Sequence, residues 1–135
     1  MPEPETWELD DEEFAAVSAL PPGERYNHLV KRVADWQWIW LLEDDAGLVG
    51  QADDEGRRYL AVWPHARYAE ACAVDEWAGA KPSAMEIHAW VEEALPSIAE
   101  RGGMLSAFPT PQHQGFIVPP LGMKADLEEE LALYE

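Results

Sequence analysis

The side chains best suited to chemistry in this chain are four histidines, one cysteine, two carboxylate clusters and seven tryptophans. His28, His65, His88 and His113 stand singly, and no two have a metal-ligand spacing such as His-x-x-x-His. Cys72 has neither sulfur nor imidazole close to it in sequence. We therefore expect no metal site and no cofactor. Cys72 falls between alanines on the apolar face of a predicted helix, which points to a packed, inert thiol.

The acidic clusters are Asp44-Asp45 and Asp53-Asp54-Glu55. Paired carboxylates can hold a divalent cation or move protons. Each cluster, however, precedes a glycine in a turn, where Asp is favoured for backbone reasons. The spacing is not that of an EF-hand, and we read both as turns. Arg57 and Arg58 open a strand opposite them, and Arg67 lies on the next helix. These cations either pair with the turns or offer an anion site near the helix that begins at Pro64. There is no Gly-rich phosphate loop, no G-x-S-x-G and no nucleotide fingerprint, so no catalytic set is expected.

Seven tryptophans in 135 residues demand an explanation, because each buries ~150–250 Å². Trp38 and Trp40 share one face of a strand, Trp63 ends a later one, and Trp36, Trp77 and Trp90 flank them. That spacing predicts core residues. The exceptions are Trp63, His65, Tyr68 and Trp77, which sit at strand and helix ends where pockets open. They are the candidate ligand-binding residues, as the wall of an aromatic-lined pocket.

The elements that must position them follow from period and punctuation. Asp10 and Asp11 can cap a short helix through Leu20, ended by Pro21-Pro22-Gly23. A second helix spans about Glu24 to Asp35, with Tyr26, Leu29, Val30 and Val33 on one face. Residues 37–42 are apolar on both faces, as a central strand should be. A short strand Leu48–Ala52 and a third, Arg57–Trp63, complete a meander. Pro64 suits the first position of a helix through Val74. Trp77 follows in a loop ending at Gly79. Residues 83–90 read either as a strand or, from the spacing of Ser83 and Glu86, as a capped helix start. The helix beyond carries Pro96, which should kink it, and Gly102-Gly103 close it. Strands at Met104–Phe108 and Phe116–Val118 and a last helix, Leu121–Tyr134, finish the chain. This order predicts an α+β fold: a mixed, mostly antiparallel sheet of five to six strands with about five helices packed on it.

The length fits one domain. Residues 1–12 read as an acidic flexible arm and 13–135 as the single α+β domain. Net charge is −18. Residues 1–13 hold seven acids and 126–135 five, without a base in either, so the body keeps fifteen acids against all nine bases. Such a chain repels phosphate backbones, and no nucleic-acid partner is expected. It is drawn instead to basic protein surfaces; the plainer role of acidic ends is solubility. No run is apolar enough for a membrane span, the N-terminus is not a signal peptide, and one cysteine forms no internal disulfide. Cytoplasmic is the expected location.

VADWQWIWLLEDDAG (33–47), LAVWPHARYAEAC (60–72) with Glu76-Trp77, and ALPSIAERGGMLSAFPTP (94–111) resemble the bacterial domain of unknown function 2750 family. The likeness covers about residues 14–134. Its most specific pieces are Trp63-Pro64 leading to Tyr68-Ala69, and Phe108-Pro109. The resemblance implies no activity and no catalytic residue. A more distant architectural likeness is to the N-terminal modules of secretion-enhancing SseB-type proteins, which implies an accessory or interaction role. The expected function is a non-catalytic interaction protein whose acidic surface engages a basic partner, as adaptor, accessory factor or inhibitor. The alternative is a small-molecule binding or sensory module using the aromatic pocket.

Overall fold

A computed structural model describes residues 6–52 and 54–134. Of the arm expected over residues 1–12, residues 1–5 lie outside the described residues, as does Asp53 of the second acidic turn. Residues 6–10 have no regular structure. The Asp10 carboxylate then accepts from the Glu13 N–H at 2.7 Å and starts helix α1, Asp11–Ser18. Three acids in its first turn suit the positive end of the helix dipole.

Helix α2 is Pro22–Trp36. It buries the predicted stripe Tyr26, Leu29, Val30 and Val33, and Arg25 with them. Gln37 closes α2 in the left-handed region (φ 70°), donating to the Val33 carbonyl at 2.7 Å. The chain passes directly into β1, Trp38–Asp44, where Ile39 and Leu41 are fully buried and Trp38 and Trp40 half-buried on the opposite face.

The strand expected over 48–52 is two strands: β2, Gly47–Leu48, pairs with β1, and β3, Gly50–Ala52, pairs with β4, Arg58–Val62. Val49 bridges them, donating to the Leu42 carbonyl at 2.9 Å. Gly50 allows the switch, since a Cβ there would lie 2.5 Å from the Tyr59 carbonyl oxygen. β5 (Lys81–Glu86), β6 (Met104–Ala107) and β7 (Phe116–Val118) complete two sheets, ordered β2-β1-β5 and β3-β4-β6-β7. Reciprocal bonds between Trp40 and Trp63, at 2.9 and 2.8 Å, join the sheets. Every strand pair is antiparallel except β4 with β6. The architecture is thus α+β, mixed and mostly antiparallel; the short strands number seven because the 48–52 segment divides.

Helix α3 is Ala66–Ala71. His65, not Pro64, sets its start: the imidazole Nδ1 accepts the Arg67 N–H at 3.0 Å, so Pro64 stays one residue outside the helix. A 3₁₀ turn follows at Asp75–Trp77. The undecided 83–90 segment is β5, paired along its length with β1, and then a helix. Ser83 is in the strand, and Glu86 itself is the cap, accepting from the His88 and Ala89 N–H groups at 2.9 and 3.1 Å.

Helix α4 covers residues 87–100, with a π turn at Trp90–Ala94 in which Leu95 donates to the Trp90 carbonyl. Pro96 has no N–H for the Glu92 carbonyl, and the turn before it is widened to a π turn. Gly102 and Gly103 donate to Ala99 and Ile98 and close the helix. Helix α5, Pro120–Ala132, packs between α2 and α4 with Met123 and Leu127 buried. Tyr134, expected as the last residue of this helix, is exposed beyond its end.

Replacing Glu86 by Ala removes the α4 cap and should lower stability by about 1 kcal/mol in a denaturant titration, while Ser83→Ala changes it by less than about 0.5 kcal/mol. The reverse order would mean that Ser83 starts the helix.

Candidate functional site

Strand β6 ends at Ala107, and the next residue, Phe108, takes a conformation side chains avoid. Its φ is +57°, and the ring is fully buried. Left-handed backbone at a bulky residue persists only where surrounding contacts over-determine it. Here the Phe108 N–H donates to the Val62 carbonyl at 2.8 Å, and the Phe108 carbonyl accepts from Arg25 Nε at 3.0 Å. The same guanidinium donates to the Leu20 carbonyl at 2.6 Å and the Gln114 carbonyl at 2.7 Å. Arg25 is 1% exposed, and burial lowers its pKa. Its charge is met by three carbonyl dipoles, a use for which the planar five-donor fork is suited and an ammonium is not. Gly115 permits the close return of the chain, since a Cβ there would lie 2.5 Å from Ser106 Oγ.

The next residue carries the corner into the candidate pocket. The Pro109 carbonyl accepts from Trp63 Nε1 at 2.8 Å and from the Cys72 thiol at 3.3 Å. Burial pushes the Cys72 thiol up to about 11, against a smaller opposite effect of its hydrogen bonding near Trp63. The thiol is packed, as the alanine-flanked position predicts. Trp63 is fully buried and meets Trp77 edge-on, with ring centroids 6.2 Å apart.

On the other side, the Phe108 ring lies 4.5 Å from Tyr68 and 6.4 Å from His28. Tyr68 is 2% exposed and stacks on Phe14 of α1 at 5.2 Å. Tyr68 Oη and His28 Nε2 are buried without a hydrogen-bond partner among the described residues. Desolvation raises the Tyr68 pKa and lowers that of His28. Nearby charges, including Glu13 of α1, modify both. His65 stands 6.4 Å from Tyr68 and 4.9 Å from Trp7. Because its Nδ1 accepts the Arg67 N–H, its Nε2 must carry the proton that reaches the Trp7 carbonyl at 2.9 Å.

The four candidate residues therefore form two pairs, Trp63 with Trp77 and His65 with Tyr68, on either side of Phe108-Pro109. Of the four, Trp77 alone borders the open depression at this corner, a volume of about 390 Å³ lined also by Cys72, Val74, Asp75, Pro109 and His113. Arg67 does not turn to the acidic loops; it reaches the Leu9 carbonyl at 2.8 Å and Asp11 at 2.5 Å. Among the described residues, no group of three or more His, Cys, Asp or Glu side chains could hold a metal ion, and no helix is long and apolar enough to cross a membrane.

Sequence reasoning missed Arg25, Phe108, His28 and the docking of Trp7 and Phe14. A signal existed for the first: Arg25 lies four residues before Leu29, on the buried stripe of α2. For Phe108 the resemblance singled out Phe108-Pro109 without a role, and the proline steers the preceding residue out of the α region without favouring positive φ.

A family model described as "Protein of unknown function (DUF2750)" matches residues 26–127, and the chain belongs to that family. Neither the comparison with curated proteins nor that with solved structures finds a match. The matched segment contains Trp63, His65, Tyr68, Cys72, Trp77 and the whole Phe108–Gly115 corner; α1 and Arg25 lie before it.

Arg25→Met should cost about 3 kcal/mol, because three carbonyls lose a charged donor. Arg25→Lys should lose nearly as much, since one ammonium cannot span the same acceptors. Denaturant unfolding measures both, and a Lys variant as stable as the parent would show that charge alone holds the corner.

Proposed function

We propose that this protein is a non-catalytic interaction module whose acidic helical surface engages a basic partner protein, as an adaptor, accessory factor or inhibitor. The observation that carries the reading is the outward chemistry of α4 and α5, which pack side by side. Glu92, Glu93 and Glu100 are exposed on α4, and Asp126, Glu128 and Glu129 on α5. Lys124, paired with Glu128 at 3.0 Å, is the one Lys or Arg within these two helices. Carboxylates held on rigid helices lose little freedom when a cationic surface docks, and such a field speeds encounter. The buried thiol and the filled spaces around Trp63 and Tyr68 offer a substrate little access, which also favours binding over catalysis.

The test compares the protein with its Glu92→Gln, Glu93→Gln, Glu128→Gln, Glu129→Gln variant as bait in native lysate. The parent should retain a basic protein in stoichiometric amount that is released as salt rises through about 0.15–0.5 M. The variant should retain at least about tenfold less. A partner held equally by both, at any salt, would defeat the electrostatic reading.

A second reading, a small-molecule binding or sensory module, draws on the depression whose wall combines Trp77 with Cys72, Pro109 and His113. In a metabolite thermal-shift screen, a ligand of that seat should raise the melting temperature of the parent and leave Trp77→Ala unmoved. Equal shifts in both would place the ligand elsewhere.

A further inference from the structure

Helix α1 has the character of a ligand lying in a groove. The groove is formed by α2, α3 and the Phe108 corner: Trp36 and Arg32 on one wall, His65 and Arg67 on the other, Tyr68 in the floor. Trp7 packs on Trp36 at 5.9 Å and on His65 at 4.9 Å, beneath the Arg32 guanidinium at 4.8 Å. Phe14 stacks on Tyr68, with the Arg67 guanidinium 4.5 Å from its ring. Carboxylates complete the match, Asp11 to Arg67 at 2.5 Å and Glu13 to Arg32 at 3.8 Å.

Two independent facts make this occupant separable from the fold. An eight-residue helix is far below the ~12–15 residues at which isolated helices become even marginal, so α1 is helical because it is docked. Its ion pairs are open to solvent in different degree, the Asp11 side chain 97% exposed and the Arg32–Glu13 pair, at 3.8 Å, about one-third exposed. Val17 is the one residue of α1 buried in the core. Beneath Phe14, the nearly fully buried Tyr68 has an Oη without a partner among the described residues, so the groove offers hydrogen-bonding capacity that α1 leaves unused.

We infer that the groove between α2 and α3 is a docking site for a short acidic helix of a partner protein, one that carries an aromatic residue before its start and another in its first turn, and that α1 holds the site closed in cis. Arg32 and Arg67 select the carboxylates, the Trp36–His65 and Tyr68 surfaces take the two rings, and α1 must lift for the partner to enter. This surface and its partner chemistry are distinct from the acidic face of α4 and α5, and the inference does not rest on that reading.

The experiment uses the full chain and a fluorescein-labelled peptide of residues 6–20, read by anisotropy. The Trp7→Ala, Phe14→Ala variant, its latch weakened, should bind the peptide at least about tenfold more tightly than the parent does, because the competent fraction rises. Adding Arg67→Glu to that variant should reverse the gain. A latch-weakened variant that melts cooperatively yet binds no better than the parent would overturn the proposal. If that variant does not fold, hydrogen exchange on the parent decides. The α1 amides from Phe14 to Ser18 should exchange at least about tenfold faster than those of Leu29 to Val33, and faster still with excess peptide. Exchange of α1 only together with α2, or a parent that sediments as a dimer and ignores the peptide, would overturn the assignment.

Discussion

Arg25 is the point on which distant parts of this chain converge. Its guanidinium ties α2 to Phe108, 83 residues away, and to Gln114, 89 residues away, while its third bond holds the linker between α1 and α2 at Leu20. A buried cation without a carboxylate is ordinarily a liability. It persists here because Phe108 has turned into positive φ, which leaves its carbonyl to be met by the guanidinium. Strain and desolvation are each unfavourable alone, and each supplies what the other lacks. Once Phe108 is set, Pro109 follows with its carbonyl against Trp63 and Cys72, and the Phe108 ring becomes the surface on which Tyr68 and His28 rest.

How far the sequence reveals this can be judged element by element. The α2 stripe, β1 as an apolar strand, the turn at Asp44–Gly47 and the Gly102-Gly103 stop were all legible, because each depends on local period or on a residue's own backbone preference. The split at Val49 was not, since it depends on which neighbour each half of the segment meets. The role of Glu86 was left open and that of His65 misassigned for a related reason. Both stand at a strand-to-helix passage, and the choice between neighbouring caps rests on where the preceding strand stops pairing. Of the candidate site, the residues were nameable and the geometry was not: nothing local says that Trp63 and Tyr68 face opposite sides of one proline-bearing corner.

Charge is distributed with the same selectivity. Arg25 serves the corner, Arg32 and Arg67 serve α1, and Arg57 meets Glu55. Arg32 of α2 and Arg67 of α3 thus turn toward the docked N-terminal segment, while α4 and α5 present carboxylates to solvent. The molecule consequently has two electrostatic characters on different elements, despite a net charge of −18 that by itself suggests only one.

The hold on α1 is spread over contacts of different kinds. Three aromatic pairings, Trp7 with Trp36 and His65 and Phe14 with Tyr68, contribute roughly 0.5–1.5 kcal/mol each, and the two cation–π contacts about 0.5–1 kcal/mol each. The Asp11–Arg67 pair, with the Asp11 side chain 97% exposed, adds little. Val17 is buried in the core, and the carbonyls of Trp7 and Leu9 are met by His65 and Arg67. Against these stands Tyr68 Oη, buried without a hydrogen-bond partner among the described residues, where an unmet donor or acceptor costs about 1–3 kcal/mol. Most of the hold is thus side-chain recognition that another helix of like chemistry can reproduce, and one that also meets Tyr68 Oη competes with an advantage α1 lacks.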